Sequence, residues 1–98
     1  MIIPTRIRVG LRRYDVLQPD HCTVKGAAGA LFYQQRVIEV ALRLRKRKRT
    51  PAQRSETFWH EVTHAVLHDM KHPLAHNERF VTAFAKRLSD TINSARFE

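Results

Sequence analysis

Apolar and polar residues alternate over residues 3–9, where Arg6 and Arg8 interrupt Ile3, Thr5, Ile7 and Val9. A two-residue period predicts a strand, because successive side chains of an extended chain point to opposite faces. Gly10 suits a turn, and Tyr14-Asp15-Val16-Leu17 continues the strand character. Residues 18–30 carry Pro19, Asp20, Gly26 and Gly29 and read as a loop with room for a short helical turn. Leu31-Phe32-Tyr33 is the next strand signal, followed by a tight hairpin turn at Gln34-Gln35. The alternation is clearest over residues 37–44. Ile38, Val40, Leu42 and Leu44 share one face there, and Glu39, Ala41, Arg43 and Arg45 the other, which predicts one uninterrupted strand.

The period changes in the second half. Thr50-Pro51-Ala52-Gln53 is a helix start with three agreeing signals: a capping hydroxyl, a proline suited to the first turn, and Gln53 to complete a capping box. The helix should run to about Met70, since Pro73 disfavours continuation past His72. A second helix opens near Asn77 and runs to about Ser94, with Val81, Phe84, Ala85, Leu88 and Ile92 as its apolar stripe. On a helical wheel the first helix has Phe58, Trp59, Val62, Ala65, Val66 and Met70 on one broad side. His60, Glu61, His64 and His68 gather on the other. The expected fold is therefore α+β: an antiparallel sheet of about three to four strands packed on two C-terminal helices. Residues 1–98 form a single domain, β-rich over 1–45, with helices over 50–72 and 76–95.

Composition adds bounds. A chain of 98 residues with 43% apolar content supports one modest core. It contains no apolar run long enough to span a membrane, and Met1-Ile2-Ile3-Pro4 lacks the regions of a signal peptide, so a cytoplasmic location is the expectation. The single Cys22 excludes an internal disulfide and fits a reducing compartment. The net charge is +9, much of it in Arg43-Leu44-Arg45-Lys46-Arg47-Lys48-Arg49. That run reads either as a solvated basic loop or as a contact for nucleic acid or an acidic protein. No aromatic residue interrupts it, so base stacking has no support there.

The chemistry lies in His60-Glu61-Val62-Thr63-His64, an H-E-x-x-H sequence inside the first helix. Residues i and i+4 of a helix share a face, so the two imidazoles can grip one Zn²⁺ while Glu61 reaches a water beside it as general base. The longer pattern with a third His two turns on is absent, because Leu67 and Met70 occupy its Gly and His positions. A third ligand must come from elsewhere. Glu78, at the start of the second helix and beside its apolar stripe, is the first choice, and His76 is its rival. His68 is expected to line the cleft, and Asp69 to orient a ligand or stand exposed. His72 and His76 are candidates for hydrogen bonds to a developing oxyanion. His21 and Cys22 lie in the loop before Gly26, where Cys22 is expected to be an inert small residue.

Phe58-Trp59-His60-Glu61-Val62-Thr63-His64-Ala65-Val66-Leu67-His68, followed by Asn77-Glu78-Arg79-Phe80-Val81, resembles the minimal gluzincin-type zinc peptidases. These include small phage-encoded metallopeptidase-like proteins, the ImmA/IrrE-type proteases and, more distantly, SprT-like ones. The resemblance covers about residues 30–95. It implies zinc on His60, His64 and Glu78, with Glu61 as the base. It also implies a strand edge for an extended substrate, at residues 37–44 or their hairpin partner. ImmA/IrrE-type proteins often carry a further regulatory domain, which makes a latent or partner-dependent peptidase a variant of the same expectation. Two functions are thus expected in order: a zinc endopeptidase acting on a peptide or protein, then a basic binding module with a structural or latent zinc site. The number of protein ligands around the zinc separates them, three plus water for catalysis and four for structure.

Overall fold

The computed structural model describes residues 2–96. The chain runs β1 (Arg6–Val9), β2 (Arg12–Leu17), β3 (Gly29–Phe32), β4 (Val37–Val40), β5 (Arg43–Leu44), β6 (Arg47–Lys48), α1 (Pro51–Asp69) and α2 (Glu78–Ser94). The expected α+β architecture is observed. The main sheet has four strands in the order β1-β2-β4-β3. It is antiparallel at β1·β2 and β3·β4, and parallel at β2·β4. The parallel pair follows from the long 18–28 loop, which carries the chain past β2 and lets the β3–β4 hairpin dock with β4 innermost. β4 is therefore bonded on both sides, and β3 is an edge strand.

One face of the sheet builds the core. Tyr14, Val16, Ile38 and Val40 point towards α1 and pack with its Phe58, Val62 and Ala65. The opposite face is covered at Glu39 by the 18–28 loop. There Thr23 donates to the Glu39 carboxylate from its backbone N–H (2.9 Å) and its hydroxyl (2.8 Å), which makes a buried carboxylate tolerable. Further along this face Arg6 pairs with Asp15 at 3.5 Å. The helix α2 packs on α1 and touches no strand among the described residues. Its contact includes a buried pair of hydroxyls, Ser89 donating to Ser55 at 3.2 Å.

The predicted strand over residues 37–44 is broken in the structure. It ends at Val40, where its partner β3 begins. The next amides turn to other acceptors: Ala41 N–H to Ala28 O, Leu42 N–H to Pro19 O and Arg43 N–H to Asp20 O. Only Ile38 and Val40 of the predicted face reach the core, and Leu42 and Leu44 are half-buried. The basic run forms a separate hairpin, with Arg43 opposite Lys48 and Leu44 opposite Arg47. Alternation within one segment carries no information on the length of its partner strand, and β3 is too short to continue the pairing. The turn between β3 and β4 is also longer than Gln34-Gln35, since Phe32 pairs with Val37 and Arg36 takes a left-handed φ of 56°.

Both helices start as the sequence predicts. Thr50 caps α1 with a complete capping box, its Oγ1 accepting from Gln53 N–H (3.1 Å) while Gln53 Oε1 accepts from Thr50 N–H (2.9 Å). Asn77 caps α2 by accepting from Phe80 N–H at 2.9 Å. The end of α1 is closed by Lys71 in the left-handed region (φ 53°), with Lys71 N–H donating to His68 O and His72 N–H to Leu67 O. These two bonds form a Schellman closure around a residue that is usually Gly.

Candidate metal centre

Three side chains of metal-binding type converge from α1 and the first residue of α2. His60 Nε2 lies 3.1 Å from one Glu78 oxygen, and His64 Nε2 lies 2.8 Å from the other. The two imidazole rings are 4.9 Å apart, one helical turn along α1. One ligand atom from each of His60, His64 and Glu78 falls within 4.8 Å of the others, so the three could hold a metal ion. Glu78 takes this place because the 72–76 turn reverses the chain and the Asn77 cap fixes where α2 begins.

The same turn orients one of the imidazoles. His64 Nδ1 donates to Ala75 O at 2.6 Å in a buried setting, which fixes the ring so that Nε2 is the atom facing Glu78. A histidine that binds a metal ion through Nε2 is commonly oriented by such a bond from Nδ1. His60 is held below the ordinary imidazole range, first by burial and then by the neighbouring His64, with Glu78 pulling the other way. It is thus disposed to the neutral, ligating form. The donor chemistry fits a divalent cation: two imidazole nitrogens, one carboxylate, and a carbonyl fixing a ring.

Glu61 lies one residue from His60 and is buried. Burial raises its carboxyl to about 7, the His64 ring lowering it in part and the Glu78 charge raising it again. Its carboxylate faces Gly29 across the β3–α1 contact. A Cβ built on Gly29 would come within 3.2 Å of Glu61 Oε2 and would collide with Thr57. A bare backbone at this point lets β3 approach the helix at the level of the general-base candidate. A cleft of about 420 Å³ opens there, lined by Ala28, Gly29, Glu56, Thr57, His60 and Glu61 among others.

The remaining candidates separate from the cluster. His68 packs against Tyr33 in a tilted arrangement, with ring centroids 4.1 Å apart. Asp69 is drawn away to the β1–β2 turn, where its carboxylate fills the space a Gly10 side chain would take; His64 is oriented by Ala75 O instead. His72 Nδ1 accepts from Leu74 N–H at 3.1 Å and shapes the interhelical turn. His76 is exposed and stands outside the ligating group. His21 is exposed, and Cys22 is buried with its thiol pushed up, first by burial and then by the Glu39 and Glu61 charges. Arg43, Arg45, Lys46, Arg47 and Lys48 are exposed on the hairpin. Arg49 is used inside the fold. Its guanidinium donates to Ala28 O, Ala41 O, Gln53 O and, at 2.6 Å, Thr57 Oγ1, which ties the start of β3 to the first turns of α1.

The helical-wheel division of α1 changes in one respect. Glu61 and His64 are buried, whereas Val66 and Met70 are 40% and 61% exposed. The ligating face turns into the angle between sheet and α2, so the far end of the apolar face is left to border a groove with Phe80 and Phe84. Sequence reading also passed over two residues beside the site. Tyr33 has its phenol pushed up by burial, then by Tyr14, Glu61 and Glu78. Gly29 falls in the segment that the sequence reads as a loop, and it is the structure that begins β3 there, where a Gly marks close backbone approach.

Comparison with protein-family models, with curated proteins and with solved structures finds no match for this chain.

Proposed function

We propose that the chain is a zinc-dependent endopeptidase. The observation that carries this reading is the convergence of His60, His64 and Glu78 beside a buried glutamate on the same helical turn. Two imidazoles and one carboxylate would suit Zn²⁺, and a set of three protein ligands is that of catalytic rather than structural zinc. Held by His60, His64 and Glu78, Zn²⁺ would supply Lewis acidity. Glu61 takes the proton of the attacking water and returns it to the leaving amine. Its place between His60 and His64, with Gly29 opposite, keeps the carboxylate at the cleft without a competing side chain.

The substrate lies extended along β3. Residues 37–44 do not offer an edge, since β4 is bonded on both sides, but the hairpin partner does. An added peptide strand gains main-chain hydrogen bonds from β3 and passes the mouth of the cleft between Gly29 and His60. The test is proteolysis of an unfolded protein such as casein by wild type and by Glu61→Gln, with bound zinc measured in both. The expected result is equal zinc content and a loss of turnover of roughly 10²–10⁴-fold in the variant. Equal proteolysis by the two proteins would remove Glu61 from the mechanism. Zinc-loaded wild type that cleaves no peptide would remove the reading itself.

A further inference from the structure

We infer that the β5–β6 hairpin and the cleft at its base form a contact for the phosphate backbone of duplex nucleic acid, independent of the metal centre. The hairpin presents Arg43, Arg45, Lys46, Arg47 and Lys48 to solvent, and no carboxylate pairs with any of them among the described residues. Its two-residue loop is Arg45-Lys46, with φ of 51° and 67°. Positive φ at both central positions is the signature of a type I′ turn, which favours Asn-Gly. Two cations stand instead where the backbone least favours side chains, and strain of this kind concentrates at functional positions.

At the base of the hairpin a cleft of about 280 Å³ is lined by Arg43, Lys48, Arg49 and Arg54 against one carboxylate, Asp20. Arg54 is steadied there by Gln18, which accepts from its Nη1. Arg43 keeps its guanidinium exposed at the cleft, and guanidinium groups match phosphate geometry in pairs of hydrogen bonds.

Shape and composition favour duplex nucleic acid over an acidic protein. A two-stranded ribbon is one of the two elements that the major groove admits. Protein interfaces centre on buried aromatic or apolar anchors, whereas the hairpin's one apolar residue, Leu44, is half-buried in the fold. The absence of aromatic residues in the run argues against single strands, which are held by stacking.

The test uses the full chain and a fluorescent duplex of about 20 base pairs, titrated across salt. Arg45→Asn with Lys46→Gly removes two charges and installs the preferred turn residues, so the hairpin is retained. Lys25→Gln with Lys86→Gln removes the same charge from exposed positions elsewhere. Wild type should bind with a log–log salt slope of about −4, and the turn variant should lose about 2 of it while the control keeps its slope. Saturating inorganic phosphate should compete only weakly, as a single anion fills the cleft but not the hairpin. The inference is overturned by no binding at low salt, by equal losses in both variants, by tighter binding of polyglutamate than of the duplex, or by full displacement with millimolar phosphate.

Discussion

At the scale of single residues, His64 shows how the centre is assembled. Its Nδ1 is committed to Ala75 O, and its Nε2 is thereby directed at the Glu78 carboxylate. The motif residues were legible because helical spacing alone puts His60 and His64 on one face, and Glu78 was legible from its place at the start of the second helix rather than from a burial cost, since its side chain is 69% exposed. The Ala75 carbonyl was not legible, since any residue supplies a backbone oxygen. Arg49 was hidden for another reason: a basic run shows no sign of which cation folds back.

Glu61 yields a prediction at this scale. Its folded carboxyl holds a proton to about pH 7, against an ordinary value of 4.5. Between those values the folded, metal-free chain binds more protons than the unfolded one, so this group lowers stability as pH rises through the window. Above it the penalty is constant, at most about 3 kcal/mol. Glu61→Gln should therefore stabilise the chelated protein little near pH 4.5 and most at pH 8, as read by thermal melts in chelator. A difference between the two proteins that does not change with pH would contradict the assigned burial cost.

At the scale of elements, local signals succeeded where the element is defined by its own residues. The capping box at Thr50 and Gln53 and the Asn77 cap set both helix starts in sequence and structure alike. The strand expected over residues 37–44 stops at Val40 because its length depends on β3, which runs out at Gly29. The end of α1 holds a testable weakness. Lys71 sits at φ 53° in a Schellman closure, a conformation that costs a side-chain-bearing residue roughly 1 kcal/mol relative to Gly. Lys71→Gly should raise stability by about 0.5–1 kcal/mol in denaturant melts with no change in metal affinity. Loss of stability would show that the Lys71 side chain makes contacts worth more than the backbone strain.

At the scale of the whole molecule, the candidate metal centre lies across the contact between the two helices, the only packing that α2 has with another element among the described residues. α2 rests on α1 and on no strand among the described residues, and Glu78 is its link to the histidines. In the metal-free chain Glu78 bridges the two rings, and a cation would replace those contacts with bonds from both helices. A small core without disulfides gains much from such a staple. With free zinc at a hundred times its dissociation constant, binding adds about 2.7 kcal/mol. For a domain of this size that should raise Tm by roughly 10–20 °C, reversed by chelator.

Zinc titration of the chelated wild type beside Glu78→Ala, with stoichiometry read by elemental analysis, tests the centre most directly. Wild type should take up one zinc per chain, and Glu78→Ala should bind at least about 100-fold more weakly, because two histidines remain and the third protein ligand is gone. Wild type that takes up no zinc, or a variant that binds as tightly as wild type, would contradict a centre built from His60, His64 and Glu78.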